Sequence, residues 1–326
     1  MRSVPTPAGP LLPVPGERGL ASYETPVLAG HVLAAWDGFL ALARALADDG
    51  ALDRPSRLPG WSARDVCVHL GSWPDAPTLV RLLDEARAAA ADPAVVEQGA
   101  AFDQEAHNEA LLAAHRGAPD DEVLAALAAG RGATAGLLED PELDALALVP
   151  TRSLLGPLPL LGHVAAAAYE LAVHAGDLAP AGAPEPARDL LHAGVGALVD
   201  VTGALCARAG TALTAAVLTP TGGWAFGARG ADWTTVELAR GARAGDLGWP
   251  AIEAEAAVVL DVSAGRVAAP PLLVRRELRT HDVAGLLELA GVVQDVPGLP
   301  GGAAVLTATR YLSGVGRLVR RLPGLG

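Results

Sequence analysis

Three residues of this chain have the side-chain types and the spacing to hold a divalent metal ion. Glu170 and His174 are four residues apart, so on a helix their side chains point the same way, one turn apart. His69 lies far earlier in the chain and would supply a third donor from a distant helix. Two imidazoles and one carboxylate bind a divalent cation and can leave one coordination position open for a reacting group.

The neighbours of the second pair favour a buried site. Leu171 and Val173 flank Glu170 and His174 with apolar side chains, and a buried carboxylate needs a charge partner such as a cation. Asp177 follows His174 by three residues on the same helix face, where it could accept a hydrogen bond from the imidazole and support the site. The alternative for Asp177 is a helix-end acid near solvent.

Two predicted helices position these residues. Ser62 is a good N-cap and Asp65 follows three residues later, so a helix should begin at Ser62 and place His69 about two turns in. Cys67 would face away from His69 on this helix and is interpreted as a small core residue. A second helix should open at residues 156–157 and run to about residue 178. On it, His163 is expected at the surface near the helix start.

The whole chain of 326 residues is long enough for two domains, and 51% of its residues are hydrophobic. Residues 1–20 carry many prolines and predict a disordered leader. Residues 21–180 predict a helical bundle with metal ligands projecting inward, and residues 187–300 predict a smaller α+β domain. Residues 301–326 combine arginines with leucines and predict a helical tail. The strands of the α+β domain are expected at residues 212–218, 223–226, 233–238 and 254–260.

Composition argues against several classes of partner. The formal net charge of −13 repels phosphate backbones, which argues against nucleic acid. No run of about 18 uncharged apolar residues is present, so we expect no transmembrane segment. The two cysteines form no disulfide framework, which is typical of a cytoplasmic protein. The expected assembly is a monomer or a small homo-oligomer.

Two motifs in order resemble a known family. Pro59-Gly60-Trp61-Ser62 leads to His69-Leu70, and Glu170, His174 and Asp177-Leu178 follow much later, as in the mycothiol-dependent maleylpyruvate isomerase family. The resemblance covers roughly residues 24–180 and implies a DinB-like helical bundle whose metal ligands are His69, Glu170 and His174. Relatives often have an arginine one turn before the glutamate, whereas this chain has alanines at 165–168. The metal site could therefore be kept while the substrate differs.

The second half is more faintly similar to the sterol-carrier-type domain that often follows in this family. The likeness rests on an expected strand from Glu253 to Val262 that ends in Ser263-Ala264-Gly265-Arg266. Arg266 is the candidate catalytic residue of this half, because a guanidinium matches the carboxylate of an anionic substrate. The alternative for Arg266 is a solvated loop arginine.

The resemblance implies a metal-dependent enzyme, an isomerase or thiol S-transferase. The expected cofactors are a divalent metal, in the first place Zn²⁺, and mycothiol as the thiol cosubstrate. The expected partners are a thiol and a small electrophile such as maleylpyruvate. Two other interpretations stay open. One is a non-catalytic protein that binds a metal and holds an apolar ligand in its C-terminal domain, and the other is a zinc-stabilised scaffold without chemistry.

Overall fold

The computed structural model describes residues 9–98, 103–153 and 155–294. They form two compact units. The N-terminal unit comprises the described residues from 20 to 198, and the C-terminal unit comprises residues 9–19 and those from 199 to 294. The predicted helical tail and the first eight residues of the predicted leader lie outside the described residues.

The N-terminal unit is built almost entirely from helices, with one short two-stranded sheet near its middle. A 3₁₀ turn at Gly19–Ser22 precedes α1, and another at Ala179–Ala181 follows α8. The elements are α1 (Thr25–Asp48), α2 (Ala63–Leu70), α3 (Val80–Ala91), α4 (Ala94–Gln98), α5 (Gln104–His115), α6 (Asp120–Leu138), α7 (Leu143–Leu146), β1 (Pro150–Thr151), β2 (Leu158–Pro159) and α8 (Leu160–Asp177). The next helix, α9 (Arg188–Arg208), contains the division between the units.

Helix α1 is the centre of the N-terminal unit, where it packs against α6 and α8. Its buried residues recur at helical spacing, as in Leu28, Val32, Phe39 and Leu46, so one face of the helix lies in the core. Helix α2 packs against α5, α6 and α8. This arrangement brings the end of α2 against the second half of α8, where the candidate ligands lie.

The C-terminal unit is an α+β arrangement around one mixed sheet. After the second part of α9, its elements are β3 (Leu213–Thr219), β4 (Gly222–Arg229), β5 (Asp232–Leu238), α10 (Ala244–Leu247), β6 (Ala251–Ala254), α11 (Ala256–Ser263), α12 (Ala269–Arg275), β7 (Leu278–His281) and α13 (Val283–Gln294). The strand order is β5-β4-β3-β6-β7. Only the β3–β6 pair is parallel, and the other pairs are antiparallel. A helical region followed by a mixed α and β region confirms the coarse fold class that the sequence predicts, a helical domain followed by an α+β domain.

Side chains cover both faces of this sheet. On one face Leu218, Leu238 and Trp249 form a buried apolar cluster. On the other face, a Cβ on Gly203 of α9 would lie 2.9 Å from the Trp233 ring, so glycine permits the close approach of helix and sheet. Asp200 is buried there and accepts hydrogen bonds from Trp233 Nε1 (3.0 Å) and Thr235 Oγ1 (2.7 Å).

The prediction of a disordered leader over residues 1–20 is wrong for residues 9–20. Leu11 is buried in the apolar cluster of the sheet, and its backbone N–H donates to Thr214 Oγ1 at 3.1 Å. The Trp249 indole donates to the carbonyl of Gly9 at 2.9 Å, and Arg18 forms an ion pair with Asp232. Prolines prevented helix formation here, but an extended segment can still pack on a sheet through isolated apolar side chains.

The strand expected over residues 254–260, with its extension from Glu253 to Val262, is also wrong. Strand β6 ends at Ala254, and α11 follows directly. The apolar run after Glu255 has no alternation, and such short runs do not distinguish a strand from a helix by periodicity. Gly265 takes a φ of +70° just after the helix, as a glycine does at a helix end. The likeness to a sterol-carrier-type domain was based on this strand, so the structure adds no support for it. That domain type stays a prediction.

Two helices of the described chain are long and apolar enough to cross a membrane by length and composition alone, α1 and α9. In their most apolar windows 44% and 72% of the residues are buried inside the protein, and core helices of soluble proteins meet the same criterion. The expectation of no transmembrane segment was based on the absence of a long run of uncharged apolar residues. Asp37 and Asp200 interrupt these two helices, and that expectation stays a prediction.

Candidate metal centre

Helix α2 positions His69 through a cap that the sequence encodes locally. The Asp65 backbone N–H donates to Ser62 Oγ at 3.1 Å, and the Ser62 backbone N–H donates to Asp65 Oδ2 at 2.8 Å, which completes a capping box. The predicted start of this helix is therefore confirmed. His69 lies in its last turn, because the helix ends at Leu70.

Helix α8 positions Glu170 and His174 one turn apart, with His174 Nε2 3.7 Å from Glu170 Oε2. The His174 side chain is 9% exposed and the Glu170 side chain is 56% exposed. The pair therefore spans the boundary between core and solvent. A metal ion held here would have protein on one side and an accessible position on the other.

Backbone contacts hold the segment before α2 against the end of α8. The Arg57 N–H donates to the carbonyl of Asp177 at 2.8 Å. The Arg54 guanidinium donates to the carbonyl of Ala181 at 3.1 Å. These contacts fix α2 relative to the helix that carries the other two ligands.

The three predicted ligands meet in space. One donor atom from each of His69, Glu170 and His174 lies within 4.8 Å of the others. The two imidazole rings are 5.1 Å apart between centroids, and their planes cross at 76°. A tetrahedral ion with bonds of 2.0–2.2 Å needs donor separations of about 3.4 Å, which small side-chain rotations would provide.

Asp177 fixes the ring of His174. Its carboxylate is fully buried, and Oδ2 lies 2.9 Å from His174 Nδ1. A carboxylate only accepts hydrogen bonds, so the ring donates from Nδ1 and keeps the lone pair on Nε2. Nε2 is also the nitrogen that faces Glu170. This is the arrangement by which metal-binding histidines are oriented in proteins.

The environment keeps His69 neutral. Burial and, to a smaller extent, the neighbouring His174 lower the pKa of His69 to about 3, against the opposing effect of a hydrogen bond with Asn108. Within the described part of the chain, Nδ1 of His69 is buried and has no hydrogen-bond partner. Neutral imidazoles beside a carboxylate are the donor set for a divalent cation, and a buried nitrogen without a partner is costly otherwise. The residues therefore fit a divalent metal.

A pocket of about 650 Å³ is lined by two neighbours of His69, although His69 itself is not among the described residues of its wall. The Trp61 ring forms part of its wall and meets the His69 ring edge-on at 5.6 Å between centroids. Asn108, which bonds to His69, forms another part. The α5 side of the pocket is a single helical stripe made of Glu105, Asn108, Glu109, Leu112, Ala113 and Arg116.

Sequence reasoning did not find Asn108 or the pocket. The available signal was the spacing of the polar stripe on α5, which repeats at three and four residues and mixes charged and apolar side chains. That spacing shows which residues share a face. It does not show which other helix the face meets.

Comparison with known protein families agrees with these observations. Residues 32–179 match the family model of the mycothiol maleylpyruvate isomerase N-terminal domain. This segment, slightly less than half of the chain, is thus similar to the N-terminal domain of that family. The matched range includes His69, Glu170, His174 and Asp177. Among curated proteins, none matches the chain at a significant level.

Two solved structures are similar to most of the chain. A histidine-to-alanine mutant of the mycothiol-dependent maleylpyruvate isomerase is 13% identical, with a TM-score of 0.47 over 82% of this chain and 96% of that one. Another structure of the mycothiol-dependent maleylpyruvate isomerase is 13% identical, with a TM-score of 0.44 over 76% of this chain and 92% of that one.

Arg266 lies beyond the segment that matches the isomerase family domain. It belongs to the C-terminal unit and follows α11 in a tight turn, where its backbone N–H donates to the carbonyl of Asp261 at 2.8 Å. Its side chain is half-buried, with Nη1 3.5 Å from the carbonyl of Ala264. A catalytic role for Arg266 stays a prediction.

The expectation for His163 is wrong, whereas that for Cys67 is confirmed. His163 is half-buried, with Nδ1 2.6 Å from Thr151 Oγ1, and desolvation lowers its pKa to about 4. The short strand that carries Thr151 packs over this part of α8, a tertiary contact with no local signature. Cys67 is fully buried, and burial raises its pKa to about 12, as for a core thiol.

Proposed function

We propose that this chain is a metal-dependent enzyme that activates a low-molecular-weight thiol, mycothiol, for addition to a small electrophile. The reaction would be either isomerisation of a cis double bond or transfer of the thiol to the electrophile. We propose the cytoplasm as its compartment, and the two buried cysteines, both free, agree with a reducing environment. The match of residues 32–179 to the mycothiol maleylpyruvate isomerase N-terminal domain supports the choice of thiol and of reaction class.

The observation that carries the proposal is the convergence of His69, Glu170 and His174, with the Glu170 side chain exposed to solvent. Among the described residues this group contains three donor side chains and no fourth, which is the number expected of a catalytic rather than a structural zinc site. A divalent ion bound there would ionise a thiol whose free pKa is about 8.5. Zn²⁺ is the ion we propose for this role.

The chain's own residues have separate tasks in this proposal. His69, Glu170 and His174 would hold the ion, and Asp177 keeps His174 in the tautomer with a free Nε2. Trp61 forms an apolar wall beside His69 and would limit access of water to the thiolate.

Both reactions begin with the same addition of the thiolate to the electrophile. The thiolate sulfur bonds to one carbon of the activated double bond, and the π electrons move to the neighbouring position. For isomerisation the former double bond rotates, the C–S bond breaks and the thiolate leaves, so the thiol is regenerated. For transfer the neighbouring carbon takes a proton and the C–S bond remains.

Metal analysis of the purified protein beside His69→Ala and His174→Ala tests the site. We expect close to one metal per wild-type chain and a loss of most of it in both variants. Thiol consumption is then measured with mycothiol and a panel of electrophiles that begins with maleylpyruvate. We expect turnover to fall by about 100-fold or more in the variants, in line with loss of a metal that generates the nucleophile. Equal metal content in all three proteins would show that His69 and His174 do not bind the metal and would overturn the proposal.

A further inference from the structure

A second polar position lies on the helix that carries Glu170 and His174, nearer to the start of that helix. His163 is seven residues before Glu170 on α8, so the two side chains share one helix face about 10 Å apart along the axis. Between them on this face, Ala166 and Ala167 are only half-buried. The face of α8 that leads from the proposed metal centre toward His163 therefore carries small side chains that solvent reaches.

Two arginines share one buried carboxylate at the far end of this face. The side chain of Glu85 on α3 is only 3% exposed, and its Oε2 lies 3.3 Å from Nη1 of Arg81. Its Oε1 lies 3.1 Å from Nε of Arg152 and also accepts from the backbone N–H of that residue. Together the three side chains carry a formal charge of +1. This local excess of positive charge occurs in a chain whose formal net charge is −13.

Contacts among three elements bring the arginines to α8. Arg152 directly follows β1, in which Oγ1 of Thr151 lies 2.6 Å from Nδ1 of His163. Helix α3 packs against both β1 and α8. Desolvation and the positive charge of Arg81 lower the pKa of His163 to about 4, and Glu85 opposes them. His163 is therefore uncharged near pH 7, and the positive charge at this end of the face belongs to the arginines.

The arginines remain accessible although both bind Glu85. The side chain of Arg81 is 48% exposed and that of Arg152 is 31% exposed. A guanidinium presents several N–H donors in a planar fork, so it can contact a second carboxylate while it keeps the first. The buried carboxylate of Glu85 holds both guanidiniums from the protein side, which orients them before a ligand arrives.

We propose, on the basis of the proposed function, that Arg81 and Arg152 bind a carboxylate of the electrophile and position its double bond at the proposed metal centre. Both are positioning residues and take no part in bond formation. Glu85 holds them in place and also limits their affinity, because its charge repels the bound carboxylate. The spacing along α8 favours an unsaturated acid whose carboxylate is several bonds away from the reacting double bond.

Binding of two unreactive ligands tests the carboxylate site without activity as the readout. 4-Oxopentanoate and 4-oxopentanamide have nearly the same shape and differ in charge. NMR titration of the full chain, Zn²⁺-loaded and metal-free, gives their dissociation constants, and the metal-free form excludes binding of the acid to the ion itself. We expect the acid to bind roughly tenfold more tightly than the amide. Equal binding of the two ligands by the wild type overturns the proposal.

Three variants distinguish a binding role of the arginines from a structural one. Arg81→Gln/Arg152→Gln should reduce the ratio to about twofold or less, since the amides remove the positive charge. Glu85→Gln removes the charge that opposes the ligand, so it should tighten binding of the acid by about threefold, whereas a structural role predicts weaker binding. Arg131→Gln is the matched control, because Arg131 forms a comparable ion pair with Asp37 between α6 and α1 and should leave both constants unchanged.

Chemical denaturation of each variant shows whether it is folded. A folded arginine double variant that keeps the preference, or a folded Glu85→Gln that binds the acid more weakly, overturns the proposal. Where these variants do not fold, Arg81→Gln alone decides, because its side chain is the more exposed of the two. It should lower the ratio by about threefold, and an unchanged ratio counts against the site.

Steady-state kinetics separate this inference from the proposed function. With mycothiol and maleylpyruvate, loss of the arginines should raise KM by about tenfold with a smaller effect on kcat and no loss of bound metal. If the wild type accelerates no reaction, the proposed function fails, while the preference for the carboxylate is still read from the dissociation constants. If the wild type is active and KM is unchanged in the variants, thiol activation stands and the arginine site is wrong.

Discussion

Nδ1 of His174 lies 2.9 Å from Oδ2 of Asp177, a carboxylate that solvent does not reach. The pair is three residues apart on α8, so the helix itself sets its geometry. The hydrogen bond directs Nε2 of His174 toward Glu170. The orientation of the proposed ligand is therefore built into the fold before any metal arrives.

We expect Asp177→Asn to weaken Zn²⁺ binding by about 10–100-fold. An asparagine amide can donate as well as accept, so the ring is no longer confined to the tautomer that leaves Nε2 unprotonated. A competition titration with a zinc chelator measures the change. Asp49→Asn is a suitable control because Asp49 is exposed at the end of α1. Equal affinity of Asp177→Asn and wild type would mean that the hydrogen bond does not support the site.

Glu170→Gln should weaken metal binding far more than it destabilises the metal-free protein. The Glu170 side chain is 56% exposed, so the amide is tolerated sterically, and we expect the free energy of unfolding to change by no more than about 0.5 kcal/mol. Loss of the only carboxylate ligand should raise the zinc dissociation constant by roughly tenfold or more. Thermal melting of the metal-free variant and a zinc titration give the two quantities. A much lower melting temperature of the metal-free variant, with unchanged zinc affinity, would instead show that Glu170 has a packing role.

The metal-free protein should lose stability as the pH falls below about 6.5. His163 and His69 are both half-buried, and desolvation is the largest cause that lowers their pKa, to about 4 and about 3. Above pH 6.5 both histidines are neutral in the folded and the unfolded chain and contribute nothing. Below it the unfolded chain takes up protons that the folded chain refuses, so unfolding becomes more favourable until the folded pKa is reached.

His163→Asn separates the contribution of His163 from that of the proposed ligand. The asparagine amide can still bond to Thr151, while the titrating group is removed. Between pH 7 and 4.5 the wild type should lose more stability than the variant, by up to about 3 kcal/mol. Urea unfolding at the two pH values measures this. An identical decrease in both proteins would exclude His163 as a source of the pH dependence.

The sequence predicted those parts of the site that depend on local chemistry. The cap of α2 follows from Ser62 and Asp65 alone, and the shared face of Glu170, His174 and Asp177 follows from helical spacing. The family resemblance further implies that the three ligands, which come from two separate motifs, lie close together in space. The structure brings them within 4.8 Å.

The parts that sequence did not predict depend on which elements meet. Asn108 acts on His69 only because α5 packs against α2, and the burial of His163 depends on the strand that carries Thr151. Leu11 packs on a sheet whose strands begin some 200 residues later in the chain, at Leu213. No local spacing encodes such contacts.

Gly130→Ala should destabilise the N-terminal unit by about 1–3 kcal/mol, the usual cost of overpacking. Gly130 lies on α6 where this helix meets α1, and an added Cβ would come within 2.8 Å of the buried Trp36 ring. Gly132→Ala is the matched control, because Gly132 is exposed on the same helix with nothing within 4 Å of its added Cβ. That control should gain about 0.5–1 kcal/mol, since alanine favours a helix over glycine. Chemical denaturation of the three proteins measures the difference, and a gain of stability in both variants would show that α1 and α6 do not pack this closely.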